Sequence, residues 1–579
     1  MNTPEETRLP ESWVWTELGE ILHRFESGSR PKGGVQNIDN GIPSIGGEHL
    51  SAKGGFNFFK IKYIPIGFFE KLSKGIIQNG DILIVKDGAT TGKTSIIRDD
   101  FPFKDAAVNE HVFLIRPYQE INNLYVFHFL FSTKGQFFVR KNFKGTAQGG
   151  INLTFFGNTF LPLAPLPEQN RIVARIEQLF TNLDAGVESL KAARTQLKRY
   201  RQSVLKSACE GRLVPTEAEL ARAEGREYEL AEVLLERILE ERRRKWEEIN
   251  KGKKKYKEPA VPDINGVPEL PEGWVWKNMG GIGEVSGGLT KNSKRNKYPK
   301  KMPYIRVANV YSDKLKLDDI NNIGMNENEI NRVLLKKGDL LVVEGNGSID
   351  QIGRAALWDG SISPCVHQNH IIKVRFNPVE IGKYMLIWML SINGRKQITD
   401  VASSTSGLYT LSISKVSSIF IPLPPLPEQH RIVAEVERCL SVADEMEKTI
   451  EQSLKQAERL RQSILKRAFK GKLVPQDPND EPAEVLLERI KEERAKREAE
   501  EKVKKRRITR NIKMMEVRKE TKKVIKVEGL YDILLSSKKT MAPKELWQLS
   551  KLDIEEFYAQ LKVEVEKGRV IESRPNDSD

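Results

Sequence analysis

The sequence is poor in the residues that build covalent and metal frameworks. It has 3 Cys and 7 His among 579 residues. Cys209, Cys365 and Cys439 lie far apart with no Cys-x-x-Cys, which argues against a disulfide scaffold or a zinc site and fits a reducing cytoplasm. Long apolar runs are missing too: none nears the ~20 residues that span a bilayer. Met1 to Pro10 is polar, unlike a signal peptide. Charge balance is absent as well. Formal net charge is +15 and pI about 9.3, which points to an anionic partner, nucleic acid first. With 39% hydrophobic and 30% charged residues, the composition suits a soluble globular protein with long charged helices. The length is too great for one core, so about three or four domains are expected.

The chain also lacks the marks of several chemistries. Gly88-Ala89-Thr90-Thr91-Gly92-Lys93-Thr94 has three residues between its glycines where a P-loop needs four, and strand-like Ser95-Ile96-Ile97 follows it. A Gly-rich hairpin carrying Lys93, with Arg354 in its counterpart, is the better reading. Asn377-Pro378-Val379-Glu380 lacks the second Pro and the aromatic of a base-methylating loop. His367 and His370 have no Cys or carboxylate cluster beside them, so a structural role fits better than metal binding. Neither a Ser/His/Asp constellation nor a nuclease metal cluster is evident.

What the chain does have is a repeat. Pro165-Leu166-Pro167-Glu168-Gln169 recurs as Pro425-Leu426-Pro427-Glu428-Gln429, and each opens a long helical pattern. Ile172, Ile176, Leu179, Leu183, Gly186, Leu190, Ala193, Leu197, Tyr200 and Val204 follow spacings of four and three. Ile432, Val436, Cys439, Ala443, Met446, Ile450, Ser453, Ala457, Leu460 and Ile464 do the same. This narrow seam favours helix pairing. Gly211 and Gly471 can cap the ends, and two matched helices can pair antiparallel.

Before each helix lies a globular segment with short apolar runs between Gly-rich turns, read as a mixed sheet. Leu9-Pro10-Glu11-Ser12-Trp13-Val14-Trp15 returns as Leu270-Pro271-Glu272-Gly273-Trp274-Val275-Trp276. Gly80-Asp81-Ile82-Leu83 returns as Gly338-Asp339-Leu340-Leu341, and His370 falls where His111 does, all at an offset of about 260. This is an internal duplication. Gly28 to Gly34 and Gly288 to Arg295 share little, so the scaffolds match while the loops diverge. Charged helical segments follow each long helix, sharing Leu-Leu-Glu-Arg-Ile at 234–238 and 486–490. Lys251 to Lys255 and Pro259 to Pro268 read as a linker. The last stretch has no counterpart. Three short helices and a strand at Gly568 to Glu572 suggest a winged-helix-like module.

The fold expected is therefore α/β (α+β): two similar mixed-sheet domains separated by two long antiparallel coiled-coil helices. The boundaries are 1–165, helix 166–215, charged connector and linker 216–261, 262–424, helix 425–475, charged segment 476–524 and module 525–579. Candidate DNA contacts in the first half are Arg30, Lys32, Lys86, Lys93 and Lys144, with Thr90, Thr91 and Gln148 as base readers. In the second half they are Lys291, Lys294, Arg295, Lys297, Asn346 and Arg354.

The paired Leu-Pro-Glu-x-Trp-x-Trp openings, the paired Gly-Asp-(Ile/Leu)-Leu segments and Pro-Leu-Pro-Glu-Gln-x-Arg-Ile-Val before each long helix resemble the specificity subunits of type I restriction–modification enzymes. The resemblance covers about residues 9 to 505. It implies two target recognition domains, each reading half of a bipartite site in double-stranded DNA. It also implies a spacer coiled coil that docks two modification (methyltransferase) subunits, with restriction/translocase subunits where present. S-adenosylmethionine, ATP and Mg would then sit on those partners, with no cofactor, metal or catalytic residue on this chain and no membrane. A self-contained modification or cleavage enzyme, and a coiled-coil adaptor with no sequence preference, are the alternatives.

Overall fold

A computed structural model describes residues 8–36, 38–145, 149–250, 255–259, 268–405, 407–523 and 529–573. The linker runs at 251–254 and 260–267 lie outside the described residues, as does Gln148. Two compact units are present, one of 1–176 with 464–579 and one of 177–463. The division falls within the two long helices, Leu166–Cys209 and Leu426–Ala468.

The first unit contains β1 (Val14–Glu17), β2 (Leu22–Ser27), β3 (Ile42–Ile45), β4 (Lys62–Ile64), β5 (Ile82–Val85), β6 (Thr94–Ile96), β7 (Ala107–Val108), β8 (Val112–Pro117) and β9 (Phe160–Leu163). A four-stranded sheet runs in the order β2-β8-β5-β6, a three-stranded sheet β4-β3-β7, and β1 pairs with β9. All neighbours in the four-stranded sheet are antiparallel. The exits of β2 and β5 and the entries of β8 and β6 therefore share one end. β5 reads Ile-Leu-Ile-Val and is buried throughout, as a central strand covered on both faces should be.

The second unit repeats this plan. Its four-stranded sheet runs Gly283–Gly287, Ile371–Phe376, Leu340–Val343, Ala355–Leu357. Val275–Asn278 pairs with Phe420–Leu423, as β1 does with β9.

The recurring sequence motifs prove to be fastenings of the fold. In the first unit the Trp13 indole donates to Glu168 Oε2 at 2.8 Å, and Gln476 Nε2 donates to Glu168 Oε1 at 2.5 Å. In the second, Trp274 donates to Glu428 Oε1 at 3.0 Å, and the Glu217 backbone N–H donates to Glu428 Oε2 at 2.9 Å. Both carboxylates are buried. The opening Trp is thus clipped to the first turn of the helix that follows its domain. Burial raises both Glu168 and Glu428 above the ordinary carboxyl range, against the lowering effect of the indole and amide donors. The Gly-Asp motif is a second fastening. Arg116 grips Asp81 at 2.6 and 2.7 Å, and Arg375 grips Asp339 at 2.7 and 2.6 Å. Each bidentate pair ties the entry of a central strand to its neighbour.

Within the second unit the long helices run antiparallel. Arg201 meets Asp444 at 2.6 Å and Glu447 at 3.2 Å, and Arg461 meets Asp184. Val204, Leu205, Ala208 and Cys209 join Ile432, Val433, Val436 and Cys439 in one core. The expected seam is only partly enclosed. Tyr200 is 44%, Met446 54% and Leu460 49% exposed, and Gly186 and Ala193 are exposed too. Two helices alone cannot cover every seam position. Gly211 and Gly471 cap the helices at φ +66 and +65, in the left-handed region.

A charged helix straps each domain. Ala483 N–H donates to Ser12 O at 2.9 Å, and Arg497 reaches His23 O at 2.9 Å. In the second unit Ala231 N–H donates to Gly273 O at 3.0 Å, and Arg242 reaches Gly280 O. The C-terminal helices Leu530–Ser537, Pro543–Ser550 and Ile554–Glu566 enclose their own small core of Leu530, Ile533, Leu546 and Phe557. The strand expected at 568–572 is absent. Gly568 (φ +69) turns the chain off the helix, and no described strand lies alongside for residues 570–573 to pair with.

Candidate nucleic-acid interface

The shared end of each four-stranded sheet gathers most of the sequence-predicted contacts. In the first unit Arg30 follows β2, Lys86 follows β5, and Lys93 precedes β6. Lys32 is exposed. Gly88 to Gly92 forms the tip of the β5–β6 hairpin, where Thr91 Oγ1 donates to Gly88 O at 2.7 Å and Lys93 N–H donates to Thr90 O at 3.1 Å. No helix starts there, so the loop is a hairpin and not a phosphate cradle. Lys144 lies beside it, because Gly88 N–H donates to Gly149 O at 3.2 Å and Lys144 pairs with Gly150 at 2.9 Å in both directions.

The counterparts in the second unit follow the same placement. Lys291 lies beyond Gly283–Gly287, Asn346 follows Leu340–Val343, and Arg354 precedes Ala355–Leu357. Here the loops differ. In place of the short pairing at 144–150, Gly345–Asn346 joins Leu408–Thr410 and Ser403–Thr405 in a three-stranded ribbon. Gly28 and Gly288 allow both loop systems to form. A Cβ at Gly28 would lie 1.7 Å from Val108 O, and one at Gly288 2.3 Å from His367 O.

The structure separates the lysine cluster into two kinds of residue. Lys291, Lys294 and Lys297 are exposed. Arg295 is 7% exposed. Its guanidinium binds Glu329 at 3.0 and 3.1 Å, Thr290 O at 2.7 Å and Gly324 O at 3.3 Å. It holds the loop together and is not offered to DNA. The short helical turn Ser293–Lys297 alternates its basic residues, so the middle one faces inward. Arg354 is also half engaged, over the Tyr311 ring at 5.2 Å and 3.3 Å from Val307 O.

Sequence reasoning overlooked the acidic groups at the same end. His111 Nδ1 lies 2.5 Å from Asp87 Oδ1, and Arg30 lies 3.3 Å from Glu110. His370 Nδ1 lies 3.0 Å from Glu344 Oε2. The matched histidines were visible as a repeat, but their partners come from strand ends far away in sequence. His367 is different. It is buried, with Nδ1 3.0 Å from Ile371 O, and burial pushes its pKa down to about 3, so it is a neutral core residue. No group of three His, Cys, Asp or Glu among the described residues is placed to hold a metal ion.

Two copies of one scaffold, each presenting divergent basic loops at one sheet end and fastened to one of two paired long helices, define a duplicated recognition protein. The family described as Type I restriction modification DNA specificity domain matches residues 10–192 and 271–456, and the chain belongs to it. Among its relatives, the type I restriction enzyme EcoKI specificity subunit of Escherichia coli (strain K12) is 25% identical over 511 residues, covering 84% of this chain and 97% of that protein. The StySPI specificity subunit of Salmonella potsdam is 24% identical over 506 residues, covering 84% and 96%. A solved chain from work on the complex assembly and conformational transition of the type I R-M system superposes with a TM-score of 0.55 at 18% identity. It covers 80% of this chain and 99% of its own, which shows the shared fold.

Proposed function

We propose that this chain is the recognition subunit of a type I restriction–modification complex, in which each globular domain reads one half of a split DNA target. The observation that carries this reading is the placement of divergent polar and basic loops at the same end of two matched sheets. Exposed lysines there supply phosphate contacts, and loop side chains supply base contacts. The two long helices serve as a platform for two modification subunits. Their half-exposed Tyr200, Val442, Met446 and Leu460 offer apolar surface on a pair that repeats itself, which suits two copies of one partner. We place S-adenosylmethionine, ATP and Mg on the modification and translocase subunits, and the complex in the cytoplasm. No described helix is long and apolar enough to cross a membrane.

Selection of bound duplexes from a randomised pool by the purified full-length chain tests the reading. A bipartite sequence with an unspecified gap is expected. Methyl transfer from labelled S-adenosylmethionine by this chain alone, or binding with no sequence preference, overturns it.

A further inference from the structure

We infer that His111 and His370 are specificity-determining residues, each accepting a hydrogen bond from the exocyclic amine of an adenine or cytosine, so that the two half-sites share an amine-bearing base at equivalent positions. The inference rests on the DNA-recognition reading above.

Both histidines sit at the reading end, immediately before a central strand. In each unit the neighbouring strand exit is tied to the histidine's own carbonyl: Lys86 N–H donates to His111 O at 2.9 Å, and Glu344 N–H donates to His370 O at 2.9 Å. Lys86 and Glu344 are therefore the structurally matched residues. The carboxylate that meets the imidazole is not matched. In the first unit it comes from Asp87, one residue beyond the tied position and with the shorter side chain. In the second it comes from Glu344 itself. The contact recurs although the residue supplying it has changed. Around it the loops have diverged in length, sequence and pairing.

A purely structural role accounts poorly for this recurrence. The His111 and His370 side chains are 52% and 58% exposed, and exposed pairs of this kind stabilise little. The backbone bonds already fix the loops. Phosphate binding at the imidazoles is also a poor fit, because Glu344 stands beside His370, and beside His111 the cations Lys86 and Arg30 are already engaged by Asp87 and Glu110. A base edge suits the arrangement better. A carboxylate only accepts, so Nδ1 carries the proton, and in the neutral ring Nε2 is left as an acceptor. His111 Nε2 lies 3.6 Å from Glu110 Oε1, beyond hydrogen-bond reach, while Glu110 faces Arg30. In the major groove the amine donors are adenine N6 and cytosine N4.

The test is selection from a randomised duplex pool with the full-length chain and with His111→Leu, His370→Leu, Asp87→Asn and Glu344→Gln. Each histidine variant should relax preference about tenfold at one position of its own half-site and leave the other half unchanged. The two relaxed positions should be equivalent and should carry adenine or cytosine in the unmodified chain. Asp87→Asn and Glu344→Gln supply an amide that can donate to Nδ1, which permits the tautomer with a proton on Nε2. These variants should shift the same position towards bases whose exocyclic group accepts, guanine O6 or thymine O4, a change that a structural role would not produce. A uniform fall in affinity with every base preference retained, or relaxed positions that are not equivalent, overturns the inference and leaves the recognition reading standing. If the unmodified chain selects no sequence, both fall.

Discussion

The clips at Glu168 and Glu428 look alike, yet glutamine should act differently in them. At Glu168 one donor is the side-chain amide of Gln476, whose Oε1 accepts from Ser12 Oγ at 3.4 Å and whose Nε2 also reaches Gly471 O at 3.4 Å, both long contacts that a turned amide gives up at little cost. In Glu168→Gln the new amide accepts from Trp13, and Gln476 turns its amide over to accept from the new Nε2. At Glu428 the second donor is the backbone N–H of Glu217, which cannot turn. Glu428→Gln therefore sets an amide donor against a buried N–H, at a cost of about 1–3 kcal/mol for the unsatisfied group. Glu428→Ala orphans both donors, about 2–6 kcal/mol. Removing a buried carboxylate already disfavoured by desolvation offsets part of this loss, for a net of about 2–4 kcal/mol.

Because the chain holds two compact units, a single melting curve would blur the result. Hydrogen exchange of amides around Trp13 and Trp274 resolves it. At about 1.4 kcal/mol per tenfold, Glu428→Gln should raise local exchange roughly 5- to 100-fold, while Glu168→Gln stays near the unmodified rate. Both carboxyls hold their protons longer in the fold than in the unfolded chain. Their contribution to stability is thus fully present in acid, below the unfolded value, and is lost as pH rises through the folded value. Glutamine at either site should flatten that part of the pH profile. Equal tolerance of glutamine at both sites would refute the donor accounting.

Neutralising Lys291, Lys294 and Lys297 should lower the salt dependence of DNA binding by about one unit of slope for each phosphate interaction removed, read from binding isotherms across salt. Arg295→Ala should instead destabilise the 290–297 loop, visible as faster exchange without DNA, since it leaves Glu329 and two carbonyls without their donor. Exchanging residues 9–163 for the matching region of a relative should change one half-site in a selection experiment and leave the other. Deleting residues 525–579 should leave the selected sequence unchanged, because that module closes a core of its own.

The motifs that make the family legible in the sequence turn out to be the ones that hold the scaffold. Trp13, Glu168, Asp81 and their counterparts are legible because buried polar groups need fixed partners, and fixed partners leave repeated residues. The candidate interface was less legible. Lys294 and Arg295 are adjacent and alike in charge, but a single turn of 3-10 helix sends one outward and the other into the fold. Periodicity over five residues cannot settle that. The pairing of His111 with Asp87 depends on two strand ends meeting, which no local pattern announces. The strand expected at 568–572 fails for a similar reason, since a strand needs a neighbour and composition does not say whether one is there.

The ion pairs between the long helices bear on the history of the chain. Arg201 meets Asp444, and Arg461 meets Asp184. These are one contact made twice, since 201 and 461 stand 260 apart, as do 184 and 444. A contact that a sequence makes with its own copy is what two separate, half-length molecules make across a twofold axis. Such a pair of identical molecules is confined to palindromic targets, because both readers are the same. Joining the copies in one chain keeps the repeated helix contact while freeing the loops of the two copies to diverge. An asymmetric target is then open to the linked chain, and a change in the loops of one half is expected to alter one preference without disturbing the other.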